Sequence, residues 1–132
     1  MAEAIPQNYL DLFDKKAFGY LATIMPDGSP QVTPVWVDFD GAHVRFNSAL
    51  GRVKDKNVRR EPRVSITIQD PGNPYRYLQV RGRVVEITET GAQDHANNLS
   101  QKYTGKPVYQ KRSPDEVRVV YKIEPMKVSS MG

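Results

Sequence analysis

Residues 32–63, VTPVWVDFDGAHVRFNSALGRVKDKNVRREPR, decide how the rest of the chain is read. Two β-compatible runs meet at Asp40-Gly41, a Ser/Gly corner follows at Ser48 and Gly51, and a short helix carries Arg52, Lys54, Lys56, Arg59 and Arg60 toward Pro62. From Arg52 to Arg63 there are six basic and two acidic residues, an excess of four that equals the formal net charge of +4 for the whole chain. The basic character is therefore local. A Ser/Gly turn feeding a helix N-terminus offers unpaired backbone N–H groups, and Arg and Lys beside them make a receptor for a phosphate. The segment is expected to hold an anionic cofactor.

Working outward, the bulk numbers bound the answer. At 132 residues and 39% hydrophobic composition, the chain suffices for one domain (1–132) with one core and is too short for two ordinary ones. Cysteine is absent, which excludes disulfides, thiolate metal sites and a Cys nucleophile and fits a reducing compartment. The start MAEAIPQNYLDLF lacks a basic-then-apolar leader, and no apolar run reaches the roughly 18 residues needed to span a bilayer. A cytoplasmic protein that does not bind membranes is expected.

Along the chain, Tyr9, Leu12, Phe13 and Ala17 have helical spacing and predict a short amphipathic helix. Strands are predicted over 20–25, 30–39 and 42–47 as a meander, with turn signals at Pro26-Asp27-Gly28-Ser29 and Asp40-Gly41. Pro34 lacks the N–H that a ladder interior requires and marks an edge or a bulge. Further strands are predicted over 63–69, where Val64, Ile66 and Ile68 alternate with polar residues, over 77–88 with a bend at Gly82, and over 117–123 before Glu124-Pro125. A second helix spans about 91–103, with Thr90 and Gln93 resembling a capping box and Thr104-Gly105 ending it; 106–114 reads as an irregular basic loop. About six antiparallel strands with short helices and bends at Pro34 and Gly82 favour a mainly β fold, a small closed or split barrel.

Most classical catalytic constellations are missing. No Walker loop, G-x-S-x-G or G-x-G-x-x-G occurs, and neither His43 nor His95 has metal-ligand spacing, so both are read as solvated or structural. If the chain is an enzyme, a cofactor carries the reactivity.

LATIMPDGSPQVTPVWV, then FNSALGRVKDKNVRREPRVSITIQDPGNPYRYLQVRGRV, KYTG and RVVYKIEPMKV resemble the B group of the flavin/deazaflavin oxidoreductases, relatives of pyridoxamine 5′-phosphate oxidase with a split β-barrel, over about residues 10–128. The resemblance implies a homodimer with two cofactor sites at the subunit interface, holding coenzyme F420 or, as the alternative, FMN. It implies that Arg52 and Lys54 match an R-x-K that grips the cofactor phosphate, with Asn47 and Ser48 beside it and Lys56 and Asn57 following on the same helix. Thr33, Pro34, Val35 and Trp36 match the strand along the ring, and Tyr75, Arg76 and Tyr77 would come from the second subunit to close the site. The R-x-K and DPxNPYRY patterns look more like the deazaflavin users. The extra C-terminal segment that pyridoxamine phosphate oxidases use on their substrate is missing, which argues against the vitamin B6 reaction. The expected activity is hydride transfer from F420H2 to an unsaturated, quinone-like or tetrapyrrole-like small-molecule acceptor. An FMN oxidoreductase and a non-catalytic deazaflavin-binding protein are the alternatives. Nucleic-acid binding through the basic helix, with Trp36, Tyr75 and Tyr77 as stacking platforms, ranks below them.

Overall fold

Alternation builds the strands of the computed structural model, which describes residues 2–132. In the strand Arg63–Asp70, Val64, Ile66 and Ile68 point inward and are buried while their neighbours face out, as the period-two pattern requires. In chain order the elements are a 3-10 helix (Gln7–Phe13), β1 (Gly19–Ile24), β2 (Pro30–Val35), β3 (Val37–Phe39), β4 (Val44–Ala49), α1 (Val53–Arg60), β5 (Arg63–Asp70), β6 (Asn73–Thr88), α2 (Ala92–Thr104) and β7 (Arg118–Met131). All strand pairings are antiparallel, in the order β2-β1-β5-β6-β7-β4-β3.

That order has one consequence for function. β2 and β3 adjoin along the chain, separated only by Trp36, yet they lie on opposite edges of the sheet. The sheet must therefore roll until its two edges meet at Trp36, which is a split barrel. Leu21, Val37, Val44, Phe46, Ile66, Ile68, Leu78, Val80, Tyr121 and Ile123 fill its interior, with the Phe46 and Tyr121 rings stacked at 4.4 Å. Each such side chain contributes roughly 1.5–3 kcal/mol by leaving water.

The structure corrects several expectations. The single strand expected over 30–39 is two strands, so there are seven rather than about six. The helix expected over residues 9–17 is a 3-10 helix ending at Phe13, although Tyr9, Leu12, Phe13 and Ala17 are all buried as the spacing implied. No side chain caps it, and its bonds close at i+3, as in Asp14 N–H to the Asp11 carbonyl at 3.0 Å. The capping box at Thr90 is not formed. Gly91 takes the N-cap with φ of 72°, and Gln93 bonds Asn97 instead of reaching back. β7 does not end before Pro125 but runs on to Met131. The register steps from Arg81 opposite Lys127 to Gly82 opposite Pro125, so Met126 is the extra residue of a bulge.

Arg76, at the start of β6, knits the outside of the barrel. It bonds both Asp11 and Asp70 at 2.7 and 2.9 Å and the Asn8 carbonyl at 2.8 Å, tying the 3-10 helix to the β5–β6 hairpin.

A Cβ on Gly82 would lie 2.2 Å from the Glu124 carbonyl oxygen, backbone against backbone. Gly82→Ala is expected to cost about 2–3 kcal/mol. A denaturant titration should show a lower midpoint with an unchanged slope. A midpoint within error of the parent would show that β7 can slide away from β6.

Candidate functional site

A cavity of about 230 Å³ opens at the seam where the chain passes from β2 to β3. Pro34, Val35 and Trp36 form one wall, Asn47 and Ser48 at the end of β4 form the floor, and Arg52 and Lys54 enter from the start of α1. Ala96 of α2, Phe18, Arg118 at the start of β7, and Tyr109 and Arg112 of the loop before it complete the lining.

The aromatic wall is held from behind. The Trp36 ring stacks on Tyr103 at 5.4 Å with 5° between planes and meets Tyr109 edge-on at 6.3 Å. β2 pairs only with β1, so its outer edge carries backbone groups with no ladder partner where it borders the cavity.

The opposite end is cationic. Arg118 donates from Nε to Asn47 Oδ1 at 2.8 Å and from Nη1 to the Tyr109 hydroxyl at 3.2 Å, and its guanidinium lies 4.3 Å from the Tyr109 ring centre. Glu116, just outside the lining, supplies the carboxylate these arginines share, 2.9 Å from Arg52 Nη2 and 3.3 Å from Arg118 Nη1. Burial, followed by the charges of Arg52, Arg112 and Arg118, pushes the Lys54 ammonium below its usual range. Four cations facing one carboxylate leave room for an anion.

Two further features suit a phosphate. The α1 N-terminus has no side-chain cap, so its first-turn N–H groups stay available beside Lys54. Its approach is fixed by Asp55, which accepts from Gly51 N at 2.9 Å and from the Tyr121 hydroxyl at 2.6 Å. Ser48 Oγ, in a residue only 1% exposed, has no hydrogen-bond partner although it lines the cavity. A buried hydroxyl without a partner costs about 1–3 kcal/mol, and a phosphate oxygen would satisfy it. The donor set therefore fits the phosphate of a flavin-type cofactor.

Of the residues proposed from sequence, Pro34, Val35, Trp36, Asn47, Ser48, Arg52 and Lys54 come together here. Thr33 sits one residue back on β2, outside the lining. Lys56 is exposed on another face of α1. Asn57 is turned away and 1% exposed; it bonds Thr23 Oγ1 at 3.0 Å and so fastens α1 to β1. Tyr75, Arg76 and Tyr77 lie on the β5–β6 hairpin and do not line this cavity; Tyr75 is 78% exposed. Sequence reasoning missed Arg118, Tyr109 and Arg112. Only the basic tone of the loop at 106–114 hinted at them. Among the described residues no group of three His, Cys, Asp or Glu side chains is arranged to hold a metal, and no helix is long and apolar enough to cross a membrane.

A rolled antiparallel sheet whose edges meet at a seam, with a phosphate-type anion site there, is a split barrel. Residues 5–132 match the family model described as pyridoxamine 5′-phosphate oxidase, and the chain belongs to that family. Among solved structures it resembles an F420 reductase with 34% identity and a TM-score of 0.83, over 95% of this chain and 98% of that one. A conserved hypothetical protein from Mycobacterium tuberculosis matches with 25% identity and a TM-score of 0.77, over 98% and 86% of the two chains. The HupZ protein of Group A Streptococcus, 19% identical over 96% and 94% with a TM-score of 0.70, shares the fold.

Removing the stranded hydroxyl gives a direct check. Without ligand, Ser48→Ala is expected to raise stability by up to about 1 kcal/mol, the reverse of most buried substitutions. Equilibrium unfolding reads it. A clear loss would mean that Ser48 already has a partner in the protein.

Proposed function

We propose that this chain binds coenzyme F420 and works as an F420H2-dependent reductase of an unsaturated, quinone-like or tetrapyrrole-like small-molecule acceptor. The observation that carries the reading is the pairing, within one cavity, of a phosphate-type donor set with an aromatic and apolar strand edge. The F420 reductase that is 34% identical over 95% of this chain supports the choice of cofactor. The donor set suits FMN as well, since FMN also carries a phosphate, and the family description favours that second reading.

When bound, the reduced deazaflavin would supply a hydride; the protein's part is to bind, orient and shield. Arg52, Lys54, Ser48 and the first turn of α1 hold the phosphate. The Pro34, Val35 and Trp36 edge offers an apolar wall with free backbone groups for the ring, and Tyr103 keeps Trp36 flat behind it. Thr33 borders the same edge. Lys56 stands on the exposed face of α1, suited to a cofactor's anionic tail, while Asn57 serves by holding α1 on the barrel. No side chain of the cavity lining stands as an obligate acid or base.

The cavity of about 230 Å³ falls short of the roughly 300–1,000 Å³ usual for ligand pockets. This supports a homodimer in which Tyr75 and Tyr77 of a second copy complete the wall, with Arg76 holding their hairpin to its own barrel. A shallow groove on the outer sheet face, with Ala22, Ile24, Pro30 and Met126 as its apolar lining and Arg63, Arg81, Arg83 and Lys127 around them, supplies surface for it. Sedimentation velocity should give a species of twice 15.0 kDa; a monomer at cofactor-saturating concentration would remove this part of the reading.

Trp36 is the only tryptophan, so its fluorescence reports on the cavity. Saturable quenching is expected at much lower F420 than FMN concentration, and Lys54→Ala should weaken F420 binding roughly 10- to 100-fold while the circular dichroism stays unchanged. Tighter FMN binding would move the protein to the flavin branch. Unchanged affinity in Lys54→Ala would remove Lys54 from the site.

A further inference from the structure

One buried polar chain behind the cavity has no role in the reading above. His95, on α2, is 5% exposed; its Nε2 lies 3.0 Å from Asp38 Oδ2 on β3 and its Nδ1 lies 3.0 Å from Asn47 Nδ2 on β4. Asn47 determines where the protons are. Its Nδ2 also donates to the Ala92 carbonyl at 3.0 Å, and its Oδ1 accepts from Arg118 Nε at 2.8 Å. The opposite amide orientation would set N–H against N–H at Arg118 and oxygen against oxygen at Ala92. Nδ2 therefore donates to His95 Nδ1, and the imidazole carries its proton on Nε2, donating it to Asp38. Asp38 is held in turn by Arg45 through two bonds of 2.8 Å.

We propose that His95 is a positioning residue of the anion site: its neutral ring, protonated on Nε2 alone, fixes Asn47 in the orientation that aims the Arg118 Nε–H, and a second proton on His95 breaks that Asn47–Arg118 bond, leaves Arg118 held only through Tyr109 and Glu116, and weakens anion binding. The inference rests on the cavity binding an anionic cofactor. A proton on Nδ1 would face the Asn47 Nδ2–H groups directly. Relief requires the amide to rotate, which breaks its bond to Ala92 and turns an N–H toward the Arg118 Nε–H.

The charged and titratable groups joined to His95 through this chain are Asp38 from β3, Arg45 from β4 behind it, and Arg118 from β7 beyond Asn47 with Glu116 and Tyr109 on its far side, while Lys102 and Tyr103 of α2 feel the Asp38 charge. Asp38 would neutralise the imidazolium, so counting charges alone makes acid strengthen anion binding or leave it unchanged. The relay gives the opposite sign.

The test joins an NMR readout to a binding readout on the full chain. In protein labelled with 15N-histidine, His95 is distinguished from His43 by a His43→Gln variant. At about pH 8, above the range in which imidazoles titrate, His95 is expected to show a protonated Nε2 and a bare Nδ1; a proton on Nδ1 overturns the proposal. Trp36 titrations with F420 from about pH 8 to 5 are expected to show affinity falling roughly tenfold toward acid, the worth of one hydrogen bond to a charged group. His95→Gln keeps an acceptor toward Asn47 and a donor toward Asp38 but takes up no proton, and it is expected to remove that step. Parallel profiles in the two proteins, or an affinity that rises with acid in the parent alone, overturn the proposal. If F420 binds at no pH, the cofactor reading falls; in that case, or if the variant does not fold, the Arg118 Nε–H resonance decides. It must shift in step with the His95 titration, and a resonance that stays put overturns the proposal.

Discussion

The backbone of Val37 is the point on which the barrel and its site both depend. There the chain has just left one edge of the sheet for the other, and a seam that no strand covers leaves peptide groups without ladder partners. The C-terminal turn of α2 supplies them. Tyr103 accepts the Val37 N–H at 3.2 Å and donates its own proton to the Ala17 carbonyl at 2.6 Å, while Lys102 Nζ reaches the carbonyls of Val37 and Phe13 at 2.5 and 2.7 Å. Left unpaired, each buried peptide group would cost about 1–3 kcal/mol. Burial holds the Lys102 ammonium below its usual range and pushes the Tyr103 phenol up to about 12, so across the neutral range the tyrosine keeps its proton. The same tyrosine ring lies flat against Trp36, so the helix that closes the seam also sets the wall of the cavity.

Much of this was legible in the sequence where local rules suffice. Alternation identified β5 and the inward set Val64, Ile66 and Ile68, and Pro34 announced an edge or a bulge, of which the structure shows the edge. The break at Trp36 was not legible, because Val35 and Val37 keep the same inward parity on both sides of it and nothing local says that they belong to opposite edges. The end of β7 was misjudged for a related reason. Pro125 is tolerated only because Gly82, 43 positions earlier, lets the two backbones approach at a bulge. Both features depend on long-range pairing, and the sequence window held only one partner.

The site divides along the same line. Asn47, Ser48, Arg52 and Lys54 lie within eight residues, and the strand-turn-helix that carries them forms a phosphate receptor by local geometry alone. Arg118 has no such signature. It looks like an ordinary basic residue at the start of an apolar strand, and only the β4–β7 pairing, which sets Ala49 opposite Arg118, brings it beside Asn47. His95 was read as solvated or structural, and the same packing shows it to be buried between Asp38 and Asn47.

The arrangement of charge also argues about what kind of anion belongs here. A nucleic-acid backbone is met by exposed cations set in a row, free to follow successive phosphates. Here the exposed arginines of α1 are engaged within the chain: Arg59 pairs with Asp55 at 2.9 Å, and Arg60 bonds the Ile24 carbonyl and Asn57. Three of the four cations facing the cavity, Arg52, Lys54 and Arg118, are withdrawn instead, and only Arg112 is exposed. Lys54 is half-buried, Arg118 is 8% exposed, and Glu116, itself removed from solvent, bridges Arg52 and Arg118. Crowding like charges in a poorly solvated hollow destabilises the ligand-free fold. A single compact anion reverses that cost at one point, whereas a polyanion threading past would leave most of it in place. A phosphate fixed at one end of a flat, apolar molecule matches this geometry, with the cations taking one end and the Trp36 edge taking the rest.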